Sequence, residues 1–248
     1  LRAGLDSGSA WCDNRGLAIP YNPLDKGNLG ASVREALLKQ PVMPMANLLV
    51  KSKNRYAHKF PGAGVYAIYY TGDFAAYWPV ADPSRAGKFA APIYVGKAVP
   101  EGARKGGLLD PTKETDALFE RLKIHAQSIQ EVSNLELGDF HFRYLVVDDI
   151  WIPLGETFLI EKFQPVWNKV VDGFGNKTPG ERRKAQITSL WDTVHPGRSY
   201  VAKLNLPRNP KTAQQILNEV GRYLAMSQEE KAKLPIADDG EMEESQVP

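Results

Sequence analysis

The chain has 248 residues, 31 Lys and Arg against 29 Asp and Glu, a formal net charge of +2 and 43% hydrophobic residues. That length suits one large domain or one domain with additions, with enough apolar material for a core that needs no staples. A lone cysteine, Cys12, excludes an internal disulfide, no apolar run reaches the roughly 18 residues of a membrane span, and no hydrophobic leader is seen, so the expectation is a soluble cytoplasmic protein.

Charge is unevenly spread. The last stretch, IADDGEMEESQVP, holds Asp238, Asp239, Glu241, Glu243 and Glu244 and no base, so the rest of the chain carries +7. A body of that charge can meet a polyanion, and the tail reads as a disordered, solubilising end.

The first thirty residues, with DSGS, DNRG, Pro20, Pro23, Gly27 and Gly30, lack periodicity and read as an extended arm. Ser32 is a candidate cap for a short helix through Lys39, and MANLLVKSK for a second. Residues 65–70 alternate as a strand, and PIYVG at 92–96 is another, bounded by Pro92 and Gly96. The polar and aromatic segment between them reads as an insertion. ETDALFERLKIHAQSIQEV stripes Leu118, Leu122, Ile129 and Val132 along one helix face, with Thr115 as its cap. FHFRYLVV, 140–147, is a third strand. Pro153 then opens a helix with Leu159, Ile160 and Phe163 inward, which Pro165 ends. These elements give the order β β α β α, and helices around KAQITSLWDTV and TAQQILNEVGRYLA finish the fold.

Strand alternation puts Tyr66 and Ile68 on one face and Tyr69 on the other, so Tyr69 and Tyr70 read as packing. Arg121 and His125 stand four apart and share one helix face. Taken alone, each of these, and Glu156 near a helix N-terminus, has a bland structural reading.

In this order, however, GVY at 64–66, YVG at 94–96, Arg121, His125 and the Glu156 to Asn168 spacing in GETFLIEKFQPVWN resemble the GIY-YIG nuclease superfamily. The longer strings GAGVYAIYYTG, PIYVGKAVPEG, VVDGFGNKTPG and WDTVHPGR resemble its type II restriction endonuclease branch, of the type that cuts a CCGCGG-like palindrome, over residues 60–200. The resemblance implies an α+β fold with a small mixed sheet of about three strands flanked by helices. It divides the chain into an N-terminal arm at 1–59, a nuclease domain at 60–200, C-terminal helices at 201–233 and the acidic tail at 234–248.

The implied site is Tyr66, Tyr94, Lys97, Arg121, His125, Glu156 and Asn168. Hydrolysis of a phosphodiester needs a proton acceptor for the water and positive charge for the phosphate oxygens. Arg121 offers a planar fork for those oxygens, and Glu156, the only acid in the set, is the expected ligand of one Mg²⁺ ion, with Mn²⁺ as a substitute. By resemblance Tyr66 activates the water with His125 and Lys97 assisting, Tyr94 positions phosphate or water, and Asn168 orients Glu156 or a phosphate oxygen. A free phenol titrates near pH 10 (roughly), so the general base stays open between Tyr66 and His125.

Arg104, Lys105, Lys177, Arg182 and Arg183 are the candidate DNA contacts, the last three in the KTPGERRK run beside GFGN. His58 and His195 lack metal-ligand spacing, His141 reads as structural or exposed, and Tyr77 and Trp78 as packing or a wedge against DNA. Cutting both strands of a palindrome points to a homodimer, and a restriction enzyme requires a cognate DNA methyltransferase in the same cell. The rival readings are a repair or homing endonuclease on the same core and a DNA-binding protein without catalysis.

Overall fold

The computed structural model describes residues 25–100, 115–175 and 186–234. In chain order, α1 spans Lys26–Leu38 and is followed by β1 (Met43–Pro44), a 3-10 turn at Met45–Leu49, and the hairpin strands β2 (Lys51–Ser52) and β3 (Arg55–Tyr56). Then come β4 (Gly64–Tyr70), α2 (Trp78–Arg85), β5 (Tyr94–Ala98), α3 (Ala117–Glu131), β6 (Phe140–Val146) and α4 (Ile152–Phe163). The C-terminal part adds α5 (Val166–Lys169), α6 (Leu190–Val194), α7 (Ser199–Lys203), α8 (Ala213–Ala225) and α9 (Gln228–Ala232). No helix among the described residues is long and apolar enough to cross a membrane.

The α+β class holds, with the expected ββαβα order carried by β4, β5, α3, β6 and α4. Among the described residues the sheet is antiparallel throughout rather than mixed, with four strands in the order β1-β6-β4-β5. The fourth, β1, has only two residues, Met43 and Pro44, too short to show alternation. Strand β4 is central and every one of its residues is buried. Its pleat sends Tyr66, Ile68 and Tyr70 into a core beneath α3 and α8, and Val65, Ala67 and Tyr69 into a second core beneath α1 and α4.

Four local readings change. The expected arm is helical from residue 26, because the Asp25 carboxylate, not Ser32, caps α1 by accepting the Gly27 and Asn28 N–H groups at 2.8 and 3.2 Å. Gly30, which looked like loop chemistry, lets α1 lie against Phe158 and Lys162 of α4. The presumed insertion between β4 and β5 holds α2, whose Pro79 lies in the first turn where no N–H is needed. Thr115 lies one residue before the α3 cap position, and its hydroxyl accepts the Ala117 N–H at 3.3 Å.

The C-terminal elements join the main core. A capping box between Thr212 and Gln215 starts α8, which buries Ile216, Val220 and Tyr223. The acidic tail beyond Leu234 lies outside the described residues.

Candidate active site

Tyr66 stands in β4 opposite Gly96 of β5, and Tyr94 stands opposite Ile68, so both phenols project from the same face. The Tyr66 ring lies directly over Gly96: a Cβ there would meet Tyr66 Cζ at 2.6 Å and Tyr94 Cε1 at 2.9 Å. The glycine of YVG is therefore the gap through which the first tyrosine reaches the edge strand.

From α3, His125 reaches down to this pair. Its Nε2 lies 2.6 Å from the Tyr66 hydroxyl, and its ring is stacked on Phe174 at 4.5 Å and edge-on to Tyr94 at 5.3 Å. Burial, reinforced by the Arg121 and Arg198 guanidiniums, holds the imidazole well below its ordinary pKa, so it is neutral. Its Nδ1 has no hydrogen-bond partner among the described residues. Arg121, one turn earlier on the same helix, donates to the Gly175 carbonyl at 2.8 Å. Gly175 in turn crowds Tyr94, whose hydroxyl a Cβ at 175 would meet at 2.7 Å.

Lys97 is one residue past Gly96 and pairs in register with Val65, so it projects from the opposite face of the sheet. There its ammonium meets the Glu156 carboxylate of α4 at 2.6 Å. Gly155 packs this part of α4 close to Val65. Six of the seven expected residues thus fall into two groups astride the edge strand β5: Tyr66, Tyr94, Arg121 and His125 on one face, Lys97 and Glu156 on the other. The amine expected beside the phenol is on the carboxylate.

Asn168 does something else again. Its Oδ1 accepts the Val95 N–H and its Nδ2 donates to the Val95 carbonyl, both at 2.8 Å, while the Trp167 N–H bonds to the Ile93 carbonyl at 3.0 Å. The side-chain amide stands in for a neighbouring strand along the outer edge of β5. Both of its polar ends are engaged with the backbone of Val95.

Sequence reading also missed the support behind the site. Arg198 grips the Asp192 carboxylate with two bonds of 2.6 and 2.7 Å and donates to the Gly173 and Phe174 carbonyls at 2.7 and 3.3 Å. Tyr200 and Ser189 donate to the same carboxylate, and the Arg198 guanidinium lies over the Trp191 ring at 4.5 Å. This buried network fixes the loop that presents Phe174 to His125 and Gly175 to Arg121. The strings VVDGFGN and WDTVHPGR carried the signal, since they hold both halves of the clamp.

Tyr77 is core and bonds His195 Nε2 at 2.8 Å, while His195 Nδ1 meets Asn134 Oδ1 at 3.0 Å. Trp78 is half exposed. Tyr69 and Tyr70 are buried, the first under Arg143 and the second accepting the Phe74 N–H at 2.9 Å. Among the described residues no three acidic, histidine or cysteine side chains cluster as a ready metal cage. Arg104, Lys105, Lys177, Arg182 and Arg183 lie outside the described residues.

Two tyrosines on adjacent antiparallel strands, an arginine and a histidine one turn apart on the next helix, and a glutamate on the helix after the third strand define a GIY-YIG nuclease core. Residues 58–224 match the family described as the Eco29kI GIY-YIG domain, a family of type II restriction endonucleases, and the chain belongs to it. A nuclease of restriction type, acting on DNA, is what that membership establishes. No curated protein matches the chain.

Proposed function

We propose that this protein is a site-specific type II restriction endonuclease that hydrolyses double-stranded DNA at a GC-rich, CCGCGG-like palindrome with the help of a divalent cation. The observation that carries this reading is the buried 2.6 Å hydrogen bond between Tyr66 and a neutral His125, held beside Arg121. Acid–base transfer needs an acceptor in reach, and His125 Nε2 at 2.6 Å from the phenol meets that condition. As the water oxygen bonds to phosphorus and the bond to the leaving sugar oxygen breaks, the water proton passes to the Tyr66 oxygen, the phenol proton moves to His125 Nε2, and the leaving oxygen takes a proton from solvent. Arg121 draws the phosphate oxygens with its guanidinium, and Tyr94 lines the same face and fixes the position of the phosphate.

Glu156 fits a Mg²⁺ site completed by substrate. Such an ion would need only one or two carboxylates plus phosphates and waters, so the Glu156 carboxylate together with substrate phosphate would be chemically sufficient to hold it. When bound there, the cation would neutralise charge on the scissile phosphate and leaving oxygen. Lys97 shares the carboxylate and keeps that face from accumulating negative charge before substrate arrives.

One such site cuts one strand. A twofold homodimer matches the symmetry of a palindrome, and a partner methyltransferase would protect host DNA. The test is incubation of the purified protein with a sequenced plasmid and Mg²⁺. Discrete fragments whose mapped ends share one palindrome support the reading. Structure-specific nicks would replace it with repair, and shifted but uncut DNA with a binding protein.

A further inference from the structure

Resting on the reading that the substrate is duplex DNA, we propose that the hairpin of β2 and β3 is a second DNA-binding site, a cationic clip for the phosphate backbone flanking the cleavage centre. Its sequence, KSKNRYAHK at 51–59, holds four Lys or Arg and one His. Acids make up 29 of the 248 residues, yet none occurs between Glu35 and Asp73. Lys59 is neutralised by Asp116 at 2.5 Å. Lys51, Lys53 and Arg55 are exposed, and among the described residues no carboxylate pairs with any of them.

The hairpin is built to hold these charges in place. Lys51 pairs with Tyr56 and Ser52 with Arg55, leaving Lys53 and Asn54 as a two-residue turn. Both turn residues are left-handed, φ 47 and 61, the pairing that matches the twist of a tight hairpin. Asparagine adopts this conformation readily and lysine seldom does, so Lys53 is fixed at the tip by the ladder on either side of it. The Ala57 N–H closes the base on the Val50 carbonyl at 2.9 Å. Tyr56 anchors the unit, packing edge-on to Phe119 at 5.4 Å with the Lys51 and Lys123 ammoniums over its ring at 5.1 and 4.8 Å.

Phe119 lies two residues before Arg121 and faces the other side of α3, so the hairpin and the catalytic residues flank the same helix from opposite sides. In this proposal the duplex held at Arg121 runs on past α3, and phosphates flanking the scissile one meet the hairpin on the far side of that helix. Lysine and arginine on a rigid turn give sequence-independent grip, which fixes register without reading bases.

The experiment uses the full chain and two short duplexes, one containing CCGCGG and one of scrambled sequence, with affinity measured across a salt series. Each phosphate contact contributes about 0.9 to the slope of log affinity against log salt. The triple variant K51A/K53A/R55A is expected to lose between two and three units of slope on both duplexes. A matched triple of exposed cations elsewhere, K26A/K88A/K203A, is expected to keep the wild-type slope. A hairpin variant with wild-type slope and affinity, or a control that loses as much, overturns the proposal. Wild-type protein that binds but never cuts would overturn the nuclease reading alone, and wild-type protein that binds neither duplex would overturn both.

Discussion

The Tyr66 hydroxyl and His125 Nε2 meet at 2.6 Å inside the main core, at a point where the Tyr66 ring has crossed over Gly96 to the edge of the sheet. A second tyrosine–histidine pair shows what distinguishes this one. Tyr77 and His195 are bonded at 2.8 Å, but His195 is satisfied on its other nitrogen by Asn134, and burial takes its pKa to about 3 while pushing the Tyr77 phenol up. That pair is a sealed piece of core. The Tyr66 pair instead has Arg121 beside it and the Lys97–Glu156 pair across the same edge strand.

Replacing Asn168 by alanine removes both bonds that cap the outer edge of β5 at Val95 and leaves those buried backbone groups unpaired. The expected outcome is a loss of about 1–3 kcal/mol in unfolding free energy, measured by urea denaturation. The Mg²⁺ concentration for half-maximal cleavage should stay where it was. Wild-type stability with a raised metal requirement would instead return Asn168 to the role of orienting Glu156.

The Arg198–Asp192 clamp should be costly to break from one side. Asp192→Asn leaves a buried guanidinium without its countercharge, which costs about 3–5 kcal/mol when a buried pair loses one partner. Arg198→Lys keeps the charge but gives up the fork that spans Asp192 and the Gly173 and Phe174 carbonyls. In the lysine variant cleavage should fall by more than tenfold while DNA affinity changes by less than threefold, because what shifts is the loop behind His125. Equal loss of both would mean the clamp holds the DNA-binding surface rather than the catalytic groups.

His125 and His195 are both held neutral in the fold, with pKa values depressed from 6.5 by burial first. The unfolded chain therefore takes up protons that the native state refuses, so stability rises with pH in this window and is lost as pH falls below about 6.5. Each histidine contributes a slope of up to about 1.4 kcal/mol per pH unit until its folded pKa is passed. Denaturation curves between pH 7 and pH 4 should show this slope, and His195→Gln should remove one proton's share. A stability that is flat over that range would contradict the buried neutral pairs.

Much of the site could be read from residue order because each part is local. Tyr66 and Ile68 share a face by strand alternation, Arg121 and His125 by helical spacing, and Glu156 falls in the first turns of a helix that Pro153 opens. What could not be read is long-range. Asn168 bonds to a residue 73 positions away, and Arg198 to carbonyls 24 and 25 positions away, with no spacing rule to reveal either. Residues 26–30 misled because Gly27 and Gly30 resemble loop chemistry, whereas Gly30 serves the close approach of α1 to α4. The face change at Lys97 was implicit in strand alternation, but the pull of the family order set it beside the phenol.

The most direct measurement is single-turnover cleavage and DNA affinity of Tyr66→Phe side by side with wild type. The ring still fills its place over Gly96, so the fold and binding should persist, while loss of the hydroxyl that contacts His125 should lower the cleavage rate by at least about 100-fold. A phenylalanine variant that binds and cuts like wild type would show that the water's proton goes elsewhere and that the Tyr66–His125 contact is not the centre of the chemistry.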